Sequence, residues 1–304
     1  MPNKTLVRID GQQLTLSNLD KVFYPATGFT KGDMLEYYAE VAPAILPHLS
    51  ARPVTLKRYP GGANDEFFYQ KECPAHRPSW LATAKMRRKS SAEATNFCLL
   101  EDRPSLLWAV NLAALELHTS LALANDAATP TVVVFDLDPG PGVTILDCAE
   151  VALWVRQIFD HYGLQAFPKT SGSKGLQVYI PLNTPTDYTE TKTFAHALAR
   201  FLEKKHPDKV VSNMRKTLRN GKVFIDWSQN NMHKTTVCVY SLRAKDQPQA
   251  STPLGWDEVI TSRKKGTAEA LGFNADQVLQ RLKKYGDLFK PVLDLRQKLP
   301  EFGS

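Results

Sequence analysis

Apolar and polar positions along the chain follow two different periods. "KTLVRI" and "QQLTLS" alternate residue by residue, as half-buried strands do. "TKGDMLEYYAEVAPAIL" instead places Met34, Tyr37, Tyr38, Val41 and Ile45 on one helical stripe, with Thr30 and Asp33 as a capping box at its start. Strands are predicted at "PVTLKRYP" and "EFFYQKE", followed by a basic, turn-like "AKMRRKSSAEA" and a mostly helical "SLLWAVNLAALELHTSL". A loop with Asn125, Asp126 and Pro130 leads into a strand over 131–138 and a helix over 144–162, capped by Thr144 and Asp147. A strand over 165–170, a Gly-rich turn, a strand over 176–181 and a helix over 188–205 come next. After the polar loop "PDKVVSNMRKTLRNG", strands are predicted at "KVFIDWS" and "TTVCVYSLRA", and the C-terminal segment reads as helical, ending near Tyr285 with Gly286 just past it. Short strands and helices in this mixed order predict an α+β fold with a mostly antiparallel sheet, in an N-terminal lobe of about 1–125 and a second lobe of about 126–300.

Composition narrows this picture modestly. With 304 residues, 43% hydrophobic and 23% charged, the chain has the make-up of a globular protein with a sizeable core. It has no fixed-period repeat, no apolar run approaching the roughly 18 residues of a membrane span, and no signal-peptide segment in "MPNKTLVRID", so a cytoplasmic location without membrane partners is expected. Cys73, Cys98, Cys148 and Cys238 form no C-x-x-C, which predicts reduced thiols rather than a zinc site or a disulfide framework. Thirty-eight Lys and Arg against 31 Asp and Glu leave a net charge of +7, favouring a polyanionic partner, nucleic acid first. The last four residues, "EFGS", are non-periodic and are read as an added tail.

Candidate chemistry concentrates in "VVVFDLDPGPG", an apolar strand whose polar end carries Asp136 and Asp138. Strand residues two apart share a face, about 7 Å apart at Cα, so these carboxylates repel unless a cation lies between them. A plainer reading makes them solvated groups at a strand end, one capping the next helix. Asp226 in "KVFIDWSQN" supplies a third carboxylate on a similar strand, and three together can hold two divalent ions for nucleotidyl transfer. Between them lies "KTSGSKGLQVYIPL": Gly172 and Gly175 let backbone N–H groups approach an anion, Ser171 and Ser173 add donors, and Lys174 adds charge, although the same turn also fits an ordinary hairpin.

"VFDLDPG", "TSGSKGL", "GKVFIDWSQN", "KTT" and "YSLRA", in this order and spacing, resemble the polymerase domain of bacterial DNA ligase D, a branch of the archaeo-eukaryotic primase superfamily. The resemblance runs from "LSNLDKVFYPATGFTKGD" to about Leu288 and implies a single primase-polymerase domain with an RRM-like sheet in the catalytic lobe. It further implies Asp136, Asp138 and Asp226 as ligands of two Mn²⁺ or Mg²⁺ ions, and Ser171, Ser173, Lys174, Gln177, Lys234, Arg243 and His118 at the incoming NTP or dNTP, with ribonucleotides preferred. Lys21 and Lys31 would hold the 5′-phosphate of a gap or break, Phe67 and Phe68 would stack on the template, and Lys216 and Arg219 would grip primer or a second DNA end. The implied setting is end filling in non-homologous end joining, in a bacterial or archaeal nucleoid, with Ku and a DNA ligase as partners. "VRIDG" lacks the lysine of a ligase K-x-D-G motif, so sealing is assigned elsewhere.

Plainer alternatives stand beside these roles. Lys21 and Lys31 can be solvated lysines, one of Phe67 and Phe68 is expected in the core, and His118 can be an ordinary buried histidine. Arg87, Arg88 and Lys89 read as a flexible basic loop suited to sequence-blind phosphate contact. The family's histidine after "SGSKGL" is Gln177 here, and a glutamine amide cannot carry charge. This admits a DNA-end-binding module with weakened catalysis. A haloacid dehalogenase-type phosphatase also places D-x-D after an apolar strand, but Gly140 stands where its loop has Thr or Val, and Asp226 would have no task.

Overall fold

The computed structural model describes residues 4–87 and 94–300, and the chain folds into two compact units, each assembled from three segments. Met1–Ser120, Thr235–Ser251 and Phe273–Gly286 form the first; Leu121–Lys234, Thr252–Gly272 and Asp287–Ser304 form the second.

In the first unit the Lys31–Leu49 helix begins as its sequence dictates. The Thr30 side chain accepts from Asp33 N–H while Asp33 accepts from Thr30 N–H, and Met34, Tyr37, Tyr38, Val41 and Ile45 are buried. Phenols inside the core need acceptors, and backbone carbonyls supply them: Tyr38 donates to Leu115 O, Tyr37 to Tyr240 O and Tyr24 to Arg243 O. A sheet runs Thr236–Val237, Ala114–Thr119, Val54–Arg58, Ala94–Cys98, Thr83–Arg87, with Phe68–Gln70 also paired to Val54–Arg58.

Three expectations change here. The run predicted as mostly helical is the Arg103–Asn111 helix followed by the Ala114–Thr119 strand, with Ala113 at φ 65° turning the chain between them. That strand lies inside the sheet with nearly all its residues buried, so its unbroken apolar run carries no period to separate strand from helix. The basic "turn" contains the paired strands Thr83–Arg87 and Ala94–Cys98; Arg87 closes the first, while Arg88 and Lys89 lie outside the described residues. Cys73 and Cys98 form a disulfide, because the loop after Phe68–Gln70 donates Cys73 N–H to Asn96 O and brings the two sulfurs together; Cys148 and Cys238 are buried free thiols.

The second unit is built on a five-stranded sheet in the order Phe167–Thr170, Leu176–Pro181, Val132–Pro139, Val223–Asp226, Val210–Val211, antiparallel except for the last pair. The Ile145–His161 and Tyr188–Lys205 helices pack on it, the first capped by Thr144 and Asp147 as predicted. Asn230, fully buried, exchanges two bonds with Val134: its Nδ2 donates to Val134 O at 2.8 Å and its Oδ1 accepts from Val134 N at 2.9 Å. The amide thereby pins the segment after Asp226 to the central strand. Among the described residues no helix is long and apolar enough to cross a membrane.

Candidate active site

One cross-strand row organises the second unit's candidate chemistry. In register, Lys169 faces Gln177, Gln177 faces Asp136, and Asp136 faces Asp226, so four neighbouring strands present four polar side chains on one face. Asp138, two residues along the central strand, shares that face opposite Phe224, whereas Val134 and Leu137 are buried. Burial, followed by the charge of Asp138, pushes the Asp136 carboxyl up to about 7, against a hydrogen bond from Gln177 and the field of Lys169. Asp226 is held by Ser228 and by Gln229, whose Nε2 lies 3.2 Å from Asp226 Oδ2 and 3.5 Å from Asp136 Oδ2; the Lys234 ammonium is 3.6 Å from Asp226. As the side chains stand, no group of three His, Cys, Asp or Glu among the described residues forms a ready metal cage.

The loop between Thr170 and Leu176 is closed by its own polar groups. Ser171 Oγ accepts from Ser173 N–H and Gly175 N–H, both at 3.3 Å, and Gly172 N–H donates to Thr170 Oγ1. Its donors are thus partly spent within the turn, and Lys174 is its exposed cation. Gly175 is required by close approach, since a Cβ there would lie 2.1 Å from Leu137 O. Gly140 is required for the same reason, against Arg219 O at 1.8 Å. Lys216 is exposed, whereas the Arg219 guanidinium sits over the Phe224 ring, its Cζ 3.6 Å from the ring centre, and donates to Met214 O.

The remaining predicted residues lie in the first unit. Lys31 is only 4% exposed and donates to Ser17 O and Asn111 Oδ1, while Lys21 donates to Pro60 O. Burial, then the charges of Lys21 and Arg58, lower the Lys31 ammonium to about 8. Phe67 and Phe68 are both exposed, contrary to the expectation that one is core. The Phe68–Gln70 strand pairs with Val54–Arg58, and cations flank the two rings: Lys57 over Phe67 at 4.1 Å and Arg58 over Phe68 at 5.1 Å. His118 sits in the Ala114–Thr119 strand, bonded to Glu116, and Arg243 reaches the same carboxylate.

With this geometry in hand, the similarity to known proteins is decisive. A family model described as LigD, primase-polymerase domain, matches residues 30–289. The chain belongs to this family. It is 41% identical over 283 residues to the multifunctional non-homologous end joining protein LigD of Mycolicibacterium smegmatis, covering 92% of this chain and 36% of that protein. Against the bifunctional non-homologous end joining protein LigD of Bacillus subtilis it is 32% identical over 276 residues, covering 90% and 43%. It therefore spans less than half the length of these relatives. The polymerase domain from Mycobacterium tuberculosis ligase D, solved in complex with DNA, superposes with a TM-score of 0.86 at 38% identity over 94% of this chain and all of that one.

Within the LigD primase-polymerase family the α+β architecture and antiparallel sheets are as the motifs implied. Sequence reasoning passed over Lys169, Ser228 and Gln229 in the second unit and Lys57, Arg58, Tyr59 and Glu116 in the first. Gln229 and Ser228 stood in plain sight in "KVFIDWSQN", and Glu116 lies one strand period before His118 in "ALELH".

Proposed function

We propose that the chain is a template-directed, metal-dependent nucleotidyltransferase that fills gaps and extends ends in double-strand break repair by non-homologous end joining, preferring ribonucleotides, with Ku and a DNA ligase as partners. The observation that carries this reading is the Asp136–Asp226 pair with Asp138 beside it: three carboxylates on one face, and one carboxyl raised by burial and like charge. Such an excess of negative charge on hard oxygens fits a divalent cation of the Mn²⁺ or Mg²⁺ class. Asp136, Asp138 and Asp226 would hold it. Bound there, such ions increase the acidity of the primer hydroxyl and offset charge on the triphosphate.

The protein's own groups have separate tasks. Lys234 and Lys174 offer charge to the phosphates, and Gln229 and Gln177 keep the carboxylates aligned. His118 and Arg243 are assigned to the nucleotide, and Phe67 and Phe68 to base stacking. Lys216 and Arg219 are assigned to primer or a second end. Lys21, Lys31 and Arg58 place mutually repelling cations near one another, which suits capture of a 5′-phosphate. The third carboxylate opposite Asp136 has the role that a phosphatase reading leaves unfilled.

The deciding experiment is incorporation of one ribonucleotide on a gapped, 5′-phosphorylated duplex with Mn²⁺. Addition by the wild type, lost in Asp138→Ala and Asp226→Ala while both still bind DNA, is the expected result. Binding without addition by the wild type points to an end-binding module instead.

A further inference from the structure

The first unit contains a buried carboxylate that serves none of the roles assigned so far. Glu116 is 1% exposed and has donors from three chain segments around it. Oε1 accepts from Tyr59 OH at 3.0 Å, Lys57 Nζ at 3.3 Å and Ala244 N–H at 3.2 Å. Oε2 lies 2.9 Å from His118 Nε2 and 3.2 Å from Arg243 Nε. Lys57 also lies over the rings of Phe67, Tyr59 and Tyr69, and the Tyr69 ring meets His118 edge-on at 6.1 Å.

The charge balance is informative. A buried carboxylate costs several kcal/mol in lost hydration, about as much as its charged and hydrogen-bonding partners can return. Here Lys57, Arg243 and His118 gather on one anion, so the group as a whole stays positive and its members are fixed relative to one another. The contact also determines the histidine's proton. His118, Arg243 and Lys57 hold the Glu116 carboxyl far below the usual range, so it only accepts, and the His118 nitrogen facing it must carry hydrogen. Burial keeps the His118 ring from charging readily, against the pull of Glu116. A neutral ring with Nε2–H leaves Nδ1 as an acceptor.

We propose that Glu116 is a positioning residue: it fixes His118 as the Nε2–H tautomer and locks Lys57 and Arg243 beside it, presenting one pre-organised basic group to the incoming nucleotide. The nucleotide roles rest on the polymerase reading above; the tautomer does not.

The test combines ring-¹⁵N NMR of His118 in the wild type with Glu116→Gln and Glu116→Asp variants. Wild-type His118 is expected as Nε2–H, with Glu116→Gln losing the single tautomer. GTP affinity, titrated with Mn²⁺, should weaken about tenfold in Glu116→Gln, with KM rising and kcat changing much less, because contacts made equally to bound substrate and transition state affect KM. Glu116→Asp, which keeps the charge, should recover most of that affinity. An Nδ1–H tautomer in the wild type overturns the proposal even if no variant folds. So does unchanged GTP affinity in Glu116→Gln, or a fall in melting temperature that Glu116→Asp shares without regaining affinity. A wild type that binds GTP but incorporates nothing defeats the polymerase reading alone, since tautomer and affinity still judge Glu116.

Discussion

Asp136 lowers the stability of the fold above acid pH. Its carboxyl ordinarily titrates near 3.9, and in the folded protein it is raised to about 7. Between those values the folded chain keeps a proton that the unfolded chain has released, so the group's contribution falls as pH rises and is fully lost above about 7. Asp136→Asn should therefore raise the melting temperature at pH 8 but not at pH 4, while ending nucleotide addition; equal shifts at both pH values would refute the electrostatic cause. Gln177 is a neutral donor to the same carboxyl. Histidine there could donate with charge, and exchanging a neutral for a charged hydrogen bond is worth about 1 to 2 kcal/mol, or roughly 5- to 30-fold in rate. Gln177→His should accelerate single-nucleotide incorporation at saturating Mn²⁺ with DNA affinity unchanged; a slower variant would mean that the row is built around the amide. Lys31 titrates with the opposite sign. With its ammonium lowered to about 8, the free protein loses that charge as pH rises through 8, so preference for a 5′-phosphate over a 5′-hydroxyl gap should decline from pH 7 to pH 9 in equilibrium binding.

At the level of elements, what was legible depended on whether a local signal existed. Caps could be read: Thr30 with Asp33 and Thr144 with Asp147 start their helices where the sequence placed them. The carboxylate strands were legible because an apolar run ends in acids, but their pairing was not, since register across strands distant in sequence leaves no local trace. The Ala114–Thr119 strand was hidden by burial, and the Cys73–Cys98 pair by a separation of 25 residues without a motif. That disulfide ties the loop after the exposed aromatic strand to the sheet. For a loop of this length, removing the link costs about 3.5 kcal/mol in the chain-entropy account. Cys73→Ser should thus lower the melting temperature to that of dithiothreitol-treated wild type, and a thiol assay on the denatured, unreduced protein should find only Cys148 and Cys238.

For the molecule as a whole, a net charge of +7 favours a polyanion, and the proposed DNA binding should weaken as salt rises. Each phosphate neutralised contributes about 0.9 to the slope of log affinity against log salt. Lys21→Ala combined with Lys31→Ala should flatten that slope by roughly one to two and erase discrimination between phosphorylated and unphosphorylated gaps; a slope that does not move would place the phosphate elsewhere. The three-segment make-up of the first unit has a consequence for its biogenesis. Its first 120 residues leave the ribosome without the Thr236–Val237 edge strand and the Ala275–Tyr285 helix, which are encoded more than 100 residues later. The nascent chain must therefore keep an unfinished sheet from aggregating while the whole second stretch, Leu121–Lys234, is being translated. A gene truncated anywhere before Gly286 would leave that unit permanently incomplete, so chains of this build should tolerate added modules at their ends far better than cuts or rearrangements within them.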